Sequence, residues 1–253
     1  MSGVGNLGAK LSALRMELET LKIHGHEHID GALPPDWLDR LDVEEMKPKP
    51  ETTPASPKAK AQNDSLSKIV SEISECRLCP LCRTRTKTVP GVGNPRARLM
   101  FVGEAPGADE DKQGEPFVGK AGQLLTRMIA AMGLKREDVF IANVLKCRPP
   151  DNRTPLPAEV EKCEPYLLRQ IDMIRPEVIC SLGAVASSTL LKTETSISKL
   201  RGKFHSYHDT PLMPTFHPSY LLRNPAAKKD VWEDLQMVMK RLGLAIPAEK
   251  EKP

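Results

Sequence analysis

Residues 98–107 read Arg-Leu-Met-Phe-Val-Gly-Glu-Ala-Pro-Gly, and their order decides the fold. Four consecutive apolar side chains run straight into two glycines and a proline. That is a short buried strand emptying into a loop. Three further runs of the same kind follow, at Val139–Asn143, Val178–Ser181 and Leu212–Phe216, with Arg98–Val102 as the first. Helical stretches near Ala121–Met132, Pro157–Ile174, Ala184–Leu191 and Lys228–Leu242 lie between or after them. Short apolar strands separated by helices build βαβ units. The expected class is therefore α/β, a three-layer sandwich with a mostly parallel four-stranded central sheet. Ligands of such sheets sit beyond the carboxyl ends of the strands, so the loops after each run carry the chemistry.

Working outward, the 253-residue chain has room for one large domain, or one domain with a tail. No run of 18 apolar residues occurs, which excludes a membrane-spanning helix. Met1–Leu14 has no apolar core followed by a small-residue cleavage site, which argues against secretion and for a cytoplasmic protein, nucleoid-associated if prokaryotic. Residues 1–64 read as a flexible extension and a docking point for a protein partner. It holds an amphipathic helix over Leu7–Ile23 and a Pro/Ala/Lys-rich linker over Lys47–Asn63 with no large apolar residue. Residues 65–245 form the folded domain, expected as a monomer, and 246–253 a disordered tail. The net charge of +4 conceals an asymmetry. Residues 1–65 hold 8 Lys+Arg and 11 Asp+Glu, whereas residues 66–253 hold 29 and 22, a net of +7 suited to phosphate.

Three strand ends supply a carboxylate, an amide and an imidazole. The first opens on Gly103-Glu104-Ala105-Pro106-Gly107, the second on Asn143 before Lys146-Cys147-Arg148-Pro149-Pro150, and the last on His217-Pro218-Ser219-Tyr220-Leu221-Leu222-Arg223-Asn224-Pro225. Between the first two lies Gly114-Glu115-Pro116-Phe117-Val118-Gly119-Lys120-Ala121-Gly122, with a single Phe at a helix start. Each piece alone is an ordinary turn or cap; their common place at one sheet edge makes a site. Six cysteines are too few for a disulfide scaffold. Cys76, Cys79 and Cys82 form C-x2-C-x2-C, with Cys147 and Cys163 further on and Cys180 in an apolar strand. By spacing alone the triplet is the start of a ferredoxin-type run lacking its fourth Cys, and a zinc site would want a second close pair.

The motifs GEAPG, GEPFVGKAGQLL, NVLKCRPPDNRTP and HPSYLLRNP, in that order from about Cys76 to Leu242, resemble the iron–sulfur uracil-DNA glycosylases of the family 4 type. The resemblance implies hydrolysis of the N-glycosidic bond of uracil in DNA, with uracil-containing DNA as partner. It implies that Phe117 stacks on the flipped base. It implies too that Asn143 reads O4 and N3–H and rejects cytosine, and that His217 stabilises charge growing on O2. Better-known uracil glycosylases carry Gly-Gln-Asp-Pro-Tyr where this chain has Gly103-Glu104-Ala105-Pro106-Gly107. The water-positioning Asp is replaced by Ala105 and the thymine-excluding Tyr by Gly107, so Glu104 is the catalytic candidate that lines the pocket with Gly103 and Gly107 and helps exclude thymine or orient water. Leu221 is expected to wedge into the base stack, with Arg223 on phosphate. The resemblance assigns Cys76, Cys79, Cys147 and Cys163 to a [4Fe–4S] cluster, leaving Cys82 spare and Cys180 in the core. The competing class is a non-catalytic iron–sulfur or zinc nucleic-acid-binding module. A relative that traps uracil-DNA covalently would need a basic insert with its own His near Asp111–Gly114, where this chain has only Lys112-Gln113.

Overall fold

The computed structural model describes residues 64–246. The helix read at Leu7–Ile23 and the linker at Lys47–Asn63 lie outside the described residues. The first helix, α1 (Leu66–Glu75), starts at Ser65, whose hydroxyl accepts from the Lys68 N–H at 3.1 Å and caps it. Its inward side chains Ile69 and Ile73 are buried.

Six strands form one sheet in the order β1-β3-β2-β4-β6-β5: β1 (Val92–Gly93), β2 (Leu99–Gly103), β3 (Phe140–Asn143), β4 (Val178–Leu182), β5 (His205–Tyr207) and β6 (Thr210–Thr215). The four central strands are mutually parallel, and they are the four read from the sequence. Two short antiparallel strands, β1 and β5, extend the sheet at its edges. The expected four-stranded sheet is thus the parallel centre of a six-stranded mixed one.

Strand alternation sends Leu99 and Phe101 to one face and Met100 and Val102 to the other. On the first face pack α3 (Lys120–Ala131) and α8 (Lys228–Arg241), through Leu125, Ile129, Leu235 and Val238. On the second pack α4 (Pro157–Ile174) and α5 (Ala184–Leu191), through Leu167, Ile171 and Leu190. A sheet buried on both faces explains why its strands are continuous apolar runs. Three short helices complete the fold: α2 (Ala108–Gln113), α6 (Ile197–Leu200) and α7 (Pro218–Arg223). Among the described residues no helix is long and apolar enough to cross a membrane.

Candidate active site and cysteine cavity

The sheet register itself builds the pocket. Gly103, the last residue of β2, pairs with Asn143, the last of β3, and Leu182 of β4 pairs with Thr215 of β6 two residues before His217. The chain therefore leaves β3, β2 and β6 at one edge of the sheet, with the end of β4 between the last two. A Cβ on Gly103 would lie 2.4 Å from Asn143 Oδ1 and 2.6 Å from Phe117 Cζ, so only glycine lets the amide and the ring approach across this floor. The Phe117 ring lies 5.6 Å from the His217 imidazole, tilted by 32°. Gly103, Phe117, Asn143 and His217, four residues singled out in the sequence, thus converge on one point.

Within that point one atom is left without a partner. Asn143 is buried, and its Oδ1 is the one buried side-chain polar atom among the described residues that makes no hydrogen bond. An orphaned buried acceptor costs about 1–3 kcal/mol, and a fold keeps it where a ligand will satisfy it. The Asn143 backbone is pinned from behind by the fully buried Lys146, whose Nζ donates to the Asn143 carbonyl at 2.8 Å and to Gln170 Oε1 at 2.7 Å. Burial lowers the Lys146 ammonium to about 8.

Phe117 holds a left-handed backbone conformation, φ 53°, which costs a bulky residue energy and marks a constrained site. Glu110 holds it there. One carboxylate oxygen accepts from the N–H groups of Val118 at 3.0 Å and Gly119 at 3.1 Å, and the other accepts from Gly107 N–H at 3.1 Å. Gly107 therefore takes part as backbone, joining the GEAPG loop to the Phe117 loop. Sequence reading passed over Glu110, although a Glu three residues after a helix-opening Gly is the second half of a capping pattern. Gly183 was also missed: a Cβ there would lie 2.9 Å from His217 Cβ.

His217 caps the N-terminus of α7. Its Nδ1 accepts from the Ser219 N–H at 3.1 Å and lies 2.8 Å from Ser219 Oγ. An N–H can only donate, so Nδ1 carries no proton and the proton of the neutral ring is on Nε2. Burial, with the Arg223 charge adding to it, lowers the imidazole to about 4 against the opposing pull of Glu110. The ring is neutral at physiological pH and offers an Nε2–H donor. Glu104 is partly buried, and burial pushes its carboxyl above the usual range. Its backbone carbonyl accepts from Leu145 N–H at 3.0 Å, which seats the loop against the chain leaving β3.

The wedge assignment needs correction. Leu221 is 1% exposed and packs in the same core as α3, whereas Leu222 is 45% exposed. The segment is helical from Pro218, and helical spacing turns Leu221 inward while Leu222 and Arg223 face out. Arg223 is exposed.

A matching family model, the uracil DNA glycosylase superfamily, covers residues 90–236. The type-4 uracil-DNA glycosylase of Archaeoglobus fulgidus is 48% identical over 192 residues, 73% of this chain and 96% of that protein. The chain belongs to the uracil DNA glycosylase superfamily. The type-4 uracil-DNA glycosylase of Thermotoga maritima is 49% identical over 178 residues, covering 68% and 93% of the two chains. A type-5 uracil-DNA glycosylase of Thermus thermophilus is 30% identical over 155 residues, 48% of this chain and 70% of that one. In this superfamily member the pocket lies inside the matched span, while Cys76, Cys79 and Cys82 lie before residue 90.

Those cysteines line a second cavity. Cys76 ends α1, Cys79 caps a 3-10 turn over Pro80–Arg83, Cys147 follows β3, and Cys163 lies in α4. All four face one enclosed space together with Cys82, Arg85 and Lys146. Arg85 donates to Cys147 Sγ at 3.1 Å, and the Lys146 backbone N–H donates to Cys163 Sγ at 3.2 Å. Burial raises the Cys147 thiol and pushes Cys163 to about 11. Cys180 sits apart in β4, buried in the core. Among the described residues, no three His, Cys, Asp or Glu side chains are gathered closely enough to hold a single metal ion.

Proposed function

We propose that this protein is a DNA-repair glycosylase that hydrolyses the N-glycosidic bond of uracil in DNA, releasing free uracil and leaving an abasic site. The observation that carries this reading is the unpartnered Asn143 Oδ1. Uracil presents N3–H to that oxygen and O4 to the amide nitrogen, completing both bonds. Cytosine presents an acceptor at N3 and an amino group at C4, so it would leave Oδ1 buried and unpaired, at about 1–3 kcal/mol. The uracil ring, taken out of the stack, lies against Phe117 over the Gly103 floor.

As the glycosidic bond breaks, the electron pair passes to the base and negative charge grows on O2. The His217 Nε2–H is a donor already oriented by its Nδ1 bond to Ser219, so no reorganisation is needed when the charge forms. The sugar becomes cationic, a water bonds to its C1′, and the proton that this water gives up balances the charge on the departing uracil. Glu104 is the carboxylate of the GEAPG loop and the group we assign to that water or to the pocket wall. Arg223 is assigned to backbone phosphate. Leu222, exposed on the same helix, takes over the wedge role first given to Leu221.

The cysteine cavity is proposed to hold a [4Fe–4S] cluster on Cys76, Cys79, Cys147 and Cys163. The donor set supports it: four cysteine thiols that line one cavity are the ligand set such a cluster takes. Three basic residues, Arg85, Lys146 and Lys162, line it and suit an anionic occupant. Such a cluster would tie α1 and the 3-10 turn to α4 and to the chain behind Asn143, a structural role. The test is an oligonucleotide with one deoxyuridine, assayed for free uracil and for an alkali-labile site. A glycosylase yields both; a non-catalytic nucleic-acid-binding module binds and yields neither.

A further inference from the structure

The cavity is lined by five cysteines, one more than the proposed cluster uses. Cys79 caps the 3-10 turn and Cys82 lies three residues on, its N–H donating to the Cys79 carbonyl at 3.3 Å. Both residues line the same cavity, one at each end of this turn's first hydrogen bond. Leu81 between them is buried against Cys147 and Cys163, which anchors the turn beside the cavity. Arg85, hydrogen-bonded to Cys147, lines the same cavity as Cys82. On its other side Cys82 opens, with Arg77 and Arg83, on an outer hollow that solvent reaches.

We propose that Cys82 is a reserve ligand of the cluster site, able to replace Cys79 on the same iron. This rests on the cluster reading above. In the exchange the iron–sulfur bond to Cys79 breaks and one to Cys82 forms. The Cys82 thiol proton passes to the released Cys79 thiolate, and no electron is transferred. The ordinary state keeps Cys82 as a free thiol at the rim; loss of the Cys79 bond recruits it.

The test counts iron and sulfide per chain, records the visible spectrum and measures iodoacetamide labelling of Cys82, all on the full chain purified without oxygen. Wild type should carry iron and label at Cys82. Cys79→Ser should keep most of its iron, with an altered spectrum and Cys82 now protected, whereas Cys79→Ser/Cys82→Ser should lose it. A folded Cys79→Ser protein without iron, or one that keeps iron while Cys82 labels as in wild type, overturns the proposal. Should Cys79→Ser not accumulate as folded protein, iron release to a chelator is compared between wild type and Cys82→Ser, which keeps all four primary ligands. Release several-fold faster from Cys82→Ser supports the reserve role, and equal rates overturn it. A wild-type chain that holds no iron and takes up none on reconstitution overturns the cluster reading itself, and this inference with it.

Discussion

The neutral state of His217 can be tested by pH alone. Its imidazole is lowered from 6.5 to about 4, and its Nδ1 is committed to the Ser219 N–H. With the neutral ring as the active donor, about 90% of it survives at pH 5; at an ordinary pKa of about 6.5 only about 3% would. Single-turnover uracil release with enzyme in excess should thus be nearly flat from pH 8 to pH 5, against an about 30-fold fall for an unperturbed histidine. Glu104, raised by burial, is the other group able to titrate near the acid end, so the profile is repeated in Glu104→Gln. His217→Ala should cost on the order of 10²–10³-fold at every pH, the usual cost of losing one oriented donor. A tenfold or larger fall between pH 8 and pH 5 that persists in Glu104→Gln and disappears in His217→Ala would refute the neutral-donor assignment. Stability carries the same signature. Between pH 6.5 and about 4 the unfolded chain binds the proton that folded His217 refuses, so this contribution is full above pH 6.5 and is lost as pH falls through that window.

Gly103→Ala would put a methyl group 2.4 Å from Asn143 Oδ1 and 2.6 Å from Phe117 Cζ; uracil release should fall about 10²-fold, measured beside a melting curve that shows the protein folded. Leu221→Ala should destabilise the fold by about 2–5 kcal/mol in urea titration. Leu222→Ala should leave stability within ~0.5 kcal/mol and slow uracil release from duplex more than from single-stranded DNA. Glu110→Ala frees the N–H groups of Gly107, Val118 and Gly119, and should raise KM and lower kcat, with neither effect in a variant of an exposed carboxylate such as Glu137.

The parallel centre of the sheet was legible because strands buried on both faces must be apolar at every position, and a run such as Leu99–Val102 has no other use. The edge strands were not: Val92–Gly93 is two residues long, and His205–Tyr207 is exposed along one side. The approach of Gly103 to Asn143 was legible because sheet topology brings strand ends together, whereas Phe117 lies in the loop before α3 and was singled out by the family resemblance. The burial of Leu221 follows from α7 being a helix, and Pro218 just inside a potential cap at His217 is the helix-opening pattern that signals it. Lys146 carried no mark at all. A lysine's burial beneath Asn143 depends on Gln170, 24 residues away in α4, and only the folded chain juxtaposes them.

The central claim is that Asn143 reads uracil, and it is tested most directly by comparing free-uracil release from a deoxyuridine oligonucleotide by wild type and Asn143→Asp. Asp replaces the amide donor facing O4 with an oxygen, so release should fall about 10²-fold or more, with iron content and melting unchanged. Undiminished release by Asn143→Asp, or no release by the folded wild-type protein, would contradict it.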